Sequence, residues 1–110
     1  MEIVPDLRER LLSPADAPDW EAHVRRGWSD FEYALAGGES SRAAQARVGA
    51  ILNRLAARHP DATIAAASHG NLIALALHAY DRSIGFDFWR AMPMPAVYSL
   101  DVEPDPPERV

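Results

Sequence analysis

The chain has 110 residues, a length that fits one small domain. Apolar residues make up 48% of it and charged residues 25%, which is typical of a soluble globular protein and argues against disorder. The formal net charge of −5 argues against a general nucleic-acid binder. The sequence has no cysteine, which excludes disulfides and thiolate metal sites. It shows no signal-peptide pattern and no apolar run of membrane length, so we expect a cytoplasmic protein.

The first third of the sequence predicts a charged lead-in, a loop and a helix. Residues 6–10 are dense in charge and fit either a solvated first helical turn or an extended lead-in. Two prolines and several turn formers make residues 13–19 a loop. A helix is predicted from Trp20 to about Ala36, with Asp16 or Asp19 as its N-cap. Its apolar stripe, more typical of a core than of a ligand surface, consists of Trp20, Val24, Trp28, Phe31 and Leu35.

A second helix is predicted from about Ser41 to Arg58. Gly37 and Gly38 end the preceding helix, and Ser40 is the expected N-cap. Pro60 ends the second helix, because a proline disfavours the helical conformation of the residue before it. The apolar face of this helix consists of Ala44, Val48, Ile51, Leu52 and Leu55.

A short apolar stretch that ends in a histidine follows the second helix. Residues 63–69 are mostly small or β-branched, which predicts a strand buried on both faces of a parallel sheet. Residues 72–80 have the length and composition of a helix. His69 would then lie at the carboxyl end of a central strand, where open α/β sheets build their binding crevices. Free backbone N–H groups at the start of the next helix would favour an anion there.

The last part of the chain predicts a short helical turn and a final strand. Residues 86–90 are rich in aromatic side chains and are expected to form a helical turn that packs on the sheet. Residues 96–102 alternate as an edge or antiparallel strand does, and residues 103–110 are expected to be a flexible tail. The order helix, helix, strand, helix, strand indicates α/β layering in a single domain, residues 1–110.

Several familiar kinds of site do not fit the sequence. The histidines lack the i, i+4 pair of a helical zinc site. Ser68 lies next to His69 and outside a Gly-x-Ser-x-Gly context, so the two cannot form a catalytic triad. No Gly-rich phosphate loop or dinucleotide motif occurs. From its position alone, His69 is as consistent with a structural hydrogen bond in a turn as with a functional role.

Six pieces of the sequence form a pattern by their order and spacing. They are residues 6–10, residues 37–40, an arginine-containing helix, His59-Pro60, Ser68-His69-Gly70-Asn71 and residues 94–98. Each piece is weak alone, and the Ser-His-Gly that follows an alanine-rich strand is the most specific. Together they resemble the histidine phosphatase superfamily, and more narrowly its phosphoglycerate mutase-like branch. The resemblance implies an incomplete three-layer α/β/α phosphoglycerate mutase-like domain with a mostly parallel sheet.

The resemblance also implies a reaction and a set of site residues. The parent activity is the hydrolysis of phosphate monoesters through a phosphohistidine, without metal or cofactor, on a phosphorylated small molecule. His69 matches the second histidine of the family, which stabilises charge on the phosphoryl oxygens. Glu9 matches the proton donor to the leaving group. Arg10 resembles an arginine that contacts the substrate in part of the family, and Gly70 and Asn71 are expected to line the pocket. A mutase is less favoured, because nothing marks a sugar-phosphate cofactor site.

One departure from the family pattern limits the expected activity. The sequence has no Arg-His-Gly, the motif whose histidine accepts the phosphoryl group, and His23, His59 and His78 have other neighbours. We expect the resemblance to cover only the C-terminal portion of the family's domain, so that this chain alone is inactive. The alternatives are a non-catalytic remnant that binds an anion or a protein, and an unrelated α/β module.

The absence of that first strand also predicts a partner. In the family the strand lies in the middle of the sheet, near the Ser-His-Gly strand. Without it, the strand at residues 63–69 would have an unpaired apolar edge, which proteins normally cover. We therefore expect the chain to self-associate through this edge or to pair with another polypeptide.

Overall fold

A computed structural model describes residues 4–11, 19–93 and 96–102. In these ranges the chain forms one 3-10 turn, Pro5–Leu7, and four α-helices. The helices are α1 (Trp20–Ser29), α2 (Ser41–Arg58), α3 (Gly70–Tyr80) and α4 (Phe86–Ala91). The described residues contain no strand and no sheet.

The predicted α/β/α fold with a mostly parallel sheet is therefore wrong for the described chain. Residues 62–69 and 96–102 have no regular secondary structure. The backbone of residues 63–68 makes no hydrogen bond to any other described residue. A strand exists only through ladder hydrogen bonds to a neighbouring strand, so apolar composition alone could not produce one here. Ile64 and Val97 are 43% and 93% exposed, so neither of these apolar side chains is buried as it would be in a core strand.

Helix α1 is shorter than predicted because the chain turns at Asp30. The Asp30 side chain accepts a hydrogen bond from the backbone N–H of Glu32 at 3.0 Å, and its carbonyl accepts one from Tyr33 at 3.0 Å. Such an aspartate competes with the helix for backbone donors. Asp19 is the N-cap residue, but its side chain makes no cap hydrogen bond. Asp16 and the rest of the predicted loop up to residue 18 lie outside the described residues.

The prediction for α2 is confirmed at both ends. The Ser40 hydroxyl accepts a hydrogen bond from the backbone N–H of Ala43 at 3.1 Å, which satisfies one of the free donors of the first turn. His59 is the C-cap residue, directly before Pro60. Of the predicted apolar face, the fully buried residues are Ala44, Val48 and Ile51.

Helix α3 is the centre of the fold. It begins at Gly70, two residues before the predicted start, and Leu72 and Leu75 are both 0% exposed. These two leucines and Ala76 pack against Ala44 and Val48 of α2. A helix that is apolar on most of its surface is stable in water only when other elements surround it. The partly buried side chains that complete this core are Leu7, Trp28, Phe31 and Leu52.

Helix α4 confirms the predicted short helical turn, although it packs on helices and not on a sheet. It contacts both α3 and α1. The rings of Trp89 and Trp20 meet edge to face, with their centroids 6.0 Å apart. The predicted tail, residues 103–110, lies outside the described residues. Among the described helices none is both long and apolar enough to cross a membrane.

Candidate functional site

The carboxylate of Glu9 lies on the N-terminus of α3. Its Oε2 accepts a hydrogen bond from the backbone N–H of Asn71 at 3.0 Å, and its Oε1 accepts one from Leu72 at 2.8 Å. The N–H groups of the first helical turn have no partner inside the helix, and this end of a helix attracts negative charge. Glu9 therefore caps α3 from a distant part of the chain. It joins two segments that the sequence predicted to form one site.

A second contact joins the same two segments. The Ser68 hydroxyl donates a hydrogen bond to the backbone carbonyl of Leu7 at 2.7 Å. The backbone N–H of Arg10 also binds Glu9 Oε1, at 2.9 Å, which fixes the orientation of the carboxylate. Residues 7–10 thus lie against the turn that contains His69 and Gly70.

His69 is exposed and occupies the N-cap position of α3. Its backbone is extended, with φ −118° and ψ 155°, and its imidazole makes no hydrogen bond to another described residue. The backbone N–H of Gly70 likewise has no described partner. Trp89 of α4 borders this turn, since its Nε1 would lie 3.7 Å from a Cβ placed on Gly70. The His69 imidazole and the Gly70 N–H are therefore, within the described part of the chain, the groups of this turn that are free to meet a ligand.

The side chain of Asn71 points into the protein. Asn71 is 7% exposed, and its Oδ1 is buried without a hydrogen-bond partner among the described residues. Its contribution to the turn is its backbone N–H, which Glu9 already binds. A ligand that uses this N–H must displace the Glu9 carboxylate.

Arg10 is inside the protein and not at the surface with His69. It is 5% exposed, and its Nε donates a hydrogen bond to the carbonyl of Glu39 at 2.9 Å. Its Nη1 and Nη2 are buried and have no hydrogen-bond partner among the described residues. A Cβ placed on Gly27 would lie 2.6 Å from Nη1, so α1 closes over this guanidinium. Burial lowers the pKa of Arg10, and the nearby charges of Glu39 and Glu9 oppose that shift.

Two residues that sequence reasoning did not assign to the site hold this arrangement together. Arg47 of α2 donates two hydrogen bonds to the Glu39 carboxylate, one to each oxygen, both at 2.9 Å. These bonds lower the pKa of the Glu39 carboxyl and raise the pKa of the Arg47 guanidinium. A bidentate interaction between a planar guanidinium and a carboxylate is strong and directional.

The Arg47–Glu39 pair positions the segment that carries Glu9. Arg47 Nη1 donates to the carbonyls of Asp6 and Arg8, the latter at 2.9 Å. Glu39 accepts a hydrogen bond from the backbone N–H of Leu11 at 3.2 Å and donates its own N–H to the Leu11 carbonyl at 2.6 Å. The only signal in the sequence was an arginine on the polar side of α2. Nothing in helical spacing pairs it with Glu39, which precedes the helix.

The described residues contain no group of three or more histidine, aspartate or glutamate side chains that could hold a metal ion. The N-terminus of α3 instead brings together the exposed His69 imidazole, the free backbone N–H of Gly70 and the Glu9 carboxylate. The sequence-predicted residues His69, Gly70, Asn71 and Glu9 are brought together in this way. Arg10 follows Glu9 in the chain but is turned into the core.

A comparison with models of protein families matches residues 1–108 to the histidine phosphatase superfamily (branch 1). Because this match spans almost the entire chain, the chain belongs to the histidine phosphatase superfamily. The resemblance found in the sequence motifs is confirmed at that level. No curated protein and no solved structure gave a significant match.

Proposed function

We propose that this chain binds a phosphate group, free or on a small molecule, at the turn formed by His69, Gly70 and Asn71, and that it turns over phosphate monoesters little or not at all. The observation that supports this proposal is the position of Glu9, whose carboxylate binds the N–H groups of Asn71 and Leu72, two and three residues after His69. Glu9, which matches the proton donor of the family, and His69, which matches its second histidine, thus lie at the same end of α3. A cytoplasmic location is part of the proposal.

The proposed roles follow from the charge that develops in phosphoryl transfer. The reacting phosphoryl group carries negative charge, which the His69 imidazole and the Gly70 N–H would stabilise. Glu9 would give its proton to the leaving oxygen. Glu9 Oε1 accepts two N–H hydrogen bonds and Oε2 accepts one, so Oε2 keeps a lone pair on which Glu9 would hold the proton for that step.

The step that this chain lacks is the acceptance of the phosphoryl group. In the parent reaction the ester bond breaks as a new bond forms to the histidine of an Arg-His-Gly motif, and water then releases phosphate. No such motif is present in the 110 residues. Arg10 could contact a phosphate only if its guanidinium left the interior beside Gly27. Binding without efficient turnover is therefore the function that these residues support best.

An assay with p-nitrophenyl phosphate in the presence of a chelator, together with calorimetry using inorganic phosphate, tests this proposal. We expect saturable phosphate binding that is lost in His69→Ala, and no turnover above that of the variant. The matched control is His59→Ala, an exposed histidine at the end of α2. Metal-independent turnover that His69→Ala abolishes would show an active enzyme instead. Turnover or phosphate binding that His69→Ala leaves unchanged would remove the site assignment.

A second proposal concerns association through residues 62–67. All six are exposed, and the backbone from residue 63 to residue 67 makes no hydrogen bond to another described residue. Unpaired backbone donors and acceptors beside apolar side chains are a template for strand pairing. We propose that this segment pairs with the same segment of a second copy. Light scattering at micromolar concentration should show a dimer, and a monodisperse monomer would contradict the proposal.

A further inference from the structure

An open groove of about 400 Å³ lies between α1 and the segment that joins α3 to α4. Arg25, Trp28 and Ser29 of α1 line one part of it, and residues 82–88 line another. His78 of α3 also lines the groove. None of the residues proposed for phosphate binding does so. With a rise of about 1.5 Å per residue, His78 lies roughly 12 Å along α3 from Gly70, so the groove is a separate place on the molecule.

The groove carries two arginines whose charges have no described partner. The guanidinium groups of Arg25 and Arg82 make no ion pair or hydrogen bond with another described residue. Arg25 is nevertheless held in place, because its Cζ stacks 4.2 Å from the centroid of the Phe86 ring. Asp87 is the only acidic residue among the described residues of the lining. Two arginines and one aspartate give the lining itself a formal charge of +1 on a chain whose net charge is −5, and Asp81, next to Arg82, lies outside the lining.

Aromatic side chains shape the rest of the groove. Trp28, Phe86 and Phe88 line it, and the rings of Trp28 and His78 meet edge to face with their centroids 5.5 Å apart. His78 Nδ1 lies 2.6 Å from the carbonyl of Ile84. Since a carbonyl only accepts, Nδ1 must carry the hydrogen, and this bond ties the loop between α3 and α4 to the helix. The hydrogen bond from His78 to Ile84 therefore holds one side of the groove in place, and the half-buried rings of Trp28 and Phe88 form part of its lining.

We propose that this groove binds a small aromatic anion, such as an aryl carboxylate. The half-buried rings of Trp28 and Phe88 suit a flat ligand ring, which gains by contact with them and by burial of apolar surface. The fork of an arginine matches the two oxygens of a carboxylate. The local positive charge attracts an anion that the rest of the acidic chain repels.

Benzoate is the probe that tests this site, with binding followed by NMR of the full chain. We expect saturable shifts of the Trp28 indole N–H and the Gly85 amide, while the Gly70 and Asn71 amides do not move. Acetate keeps the charge without the ring, and benzamide keeps the ring without the charge. Each should bind at least about threefold more weakly than benzoate, because each loses one of the two kinds of contact.

Two substitutions, one that removes a positive charge and one that removes a negative charge, test whether benzoate binds in this groove. Arg82→Gln should weaken benzoate binding about three- to fivefold, and Asp87→Asn should tighten it about twofold, since each changes one exposed charge. Arg58→Gln removes an exposed arginine at the end of α2 and should leave binding unchanged. Circular dichroism of each variant checks that the fold is intact.

Three results would overturn the proposal. They are the absence of saturable benzoate shifts, an unchanged affinity in both Arg82→Gln and Asp87→Asn, and the loss of benzoate binding in His69→Ala. The last result would place benzoate at the phosphate site. Failure of phosphate binding at His69 leaves the benzoate result unaffected, so the two proposals are tested separately.

Discussion

The Glu9 carboxylate accepts a hydrogen bond of 2.8 Å from the backbone N–H of Leu72, a residue 63 positions later in the chain. Leu72 is completely buried in the core between α2 and α3. One carboxylate therefore attaches the charged segment, residues 6–10, to α3 at the end of the helix where negative charge is favourable. The same contact determines where His69 lies relative to Glu9, so the stability of α3 and the geometry of the candidate site depend on one side chain.

Replacing Glu9 with glutamine should separate these two effects. The glutamine side chain has one acceptor oxygen and no charge, so we expect the free energy of unfolding to fall by about 1 kcal/mol. Affinity for inorganic phosphate should rise, because a negative charge leaves the N–H groups that phosphate would use. Urea unfolding and calorimetry measure the two quantities. The control is Glu21→Gln on α1, whose half-exposed carboxylate pairs with Arg90 at 3.2 Å, and it should change neither by more than about 0.5 kcal/mol. Phosphate affinity that falls in Glu9→Gln would contradict the competition between Glu9 and phosphate.

The Arg47–Glu39 pair should make stability fall in acid. Hydrogen bonds from Arg47 lower the pKa of Glu39 in the folded protein. The stabilisation is therefore complete above the pKa of a glutamate in the unfolded chain, about 4.3, and is lost as the pH falls through the lower folded pKa. At neutral pH we expect Glu39→Gln to lower the free energy of unfolding by about 1–2 kcal/mol, since the pair is mostly shielded from water.

Urea unfolding of the wild type and of Glu39→Gln over a series of pH values measures this effect. The difference between the two proteins should shrink on acidification, because the glutamine does not titrate. Glu32→Gln removes a carboxylate from an exposed ion pair with Arg42 and serves as the control. A difference that stays constant from neutral to acid pH would show that the charge of Glu39 contributes nothing.

Two glycines in helices should respond to alanine in opposite directions. A Cβ on Gly49 of α2 would meet nothing within 4 Å, so Gly49→Ala should stabilise the protein by about 0.5–1 kcal/mol through helix propensity. A Cβ on Gly27 of α1 would lie 2.6 Å from Arg10 Nη1 and 2.9 Å from the Ser41 hydroxyl oxygen. Gly27→Ala should therefore destabilise it by about 1–3 kcal/mol.

Thermal unfolding followed by circular dichroism compares the two variants directly. The double variant Gly27→Ala, Arg10→Ala identifies the cause, because removing the guanidinium relieves the shortest contact of the new methyl group and leaves the contact with the Ser41 hydroxyl. The cost of Gly27→Ala should be smaller in the Arg10→Ala background than in the wild type. Equal stabilisation by alanine at both glycines would mean that Arg10 does not pack against α1.

Local signals made α2 predictable, whereas the predicted sheet was wrong because a strand depends on a distant partner that its own sequence does not identify. The cap at Ser40, the apolar face through Ala44 and Val48, and the stop before Pro60 all act within a few residues. A strand instead needs a neighbour, and residues 62–69 have the composition of a strand without one in the described chain. Composition shows which segments could pair, and it does not supply the pairing backbone.

In the candidate site, too, short motifs were predictable from the sequence and contacts between distant residues were not. A motif placed Glu9 and His69 in one site, and the structure brings their segments together. No motif showed that Arg10 is buried against Gly27, because that depends on how α1 folds back across the lead-in. The Arg47–Glu39 pair was missed for a related reason: Glu39 lies outside the helix that carries Arg47, so no helical spacing links them.

The exposed segment 62–67 gives a final prediction that separates association from folding. Ile64 is 43% exposed and makes no contribution to the buried core. Ile64→Lys should therefore leave the free energy of unfolding of the isolated chain within about 0.5 kcal/mol of the wild-type value. It should shift the light-scattering mass from dimer to monomer, since a lysine on an unpaired edge opposes strand pairing. Leu11→Lys places the same charge on an exposed leucine outside the segment and should leave the mass unchanged. A dimer that persists in Ile64→Lys would show that the copies associate through another surface.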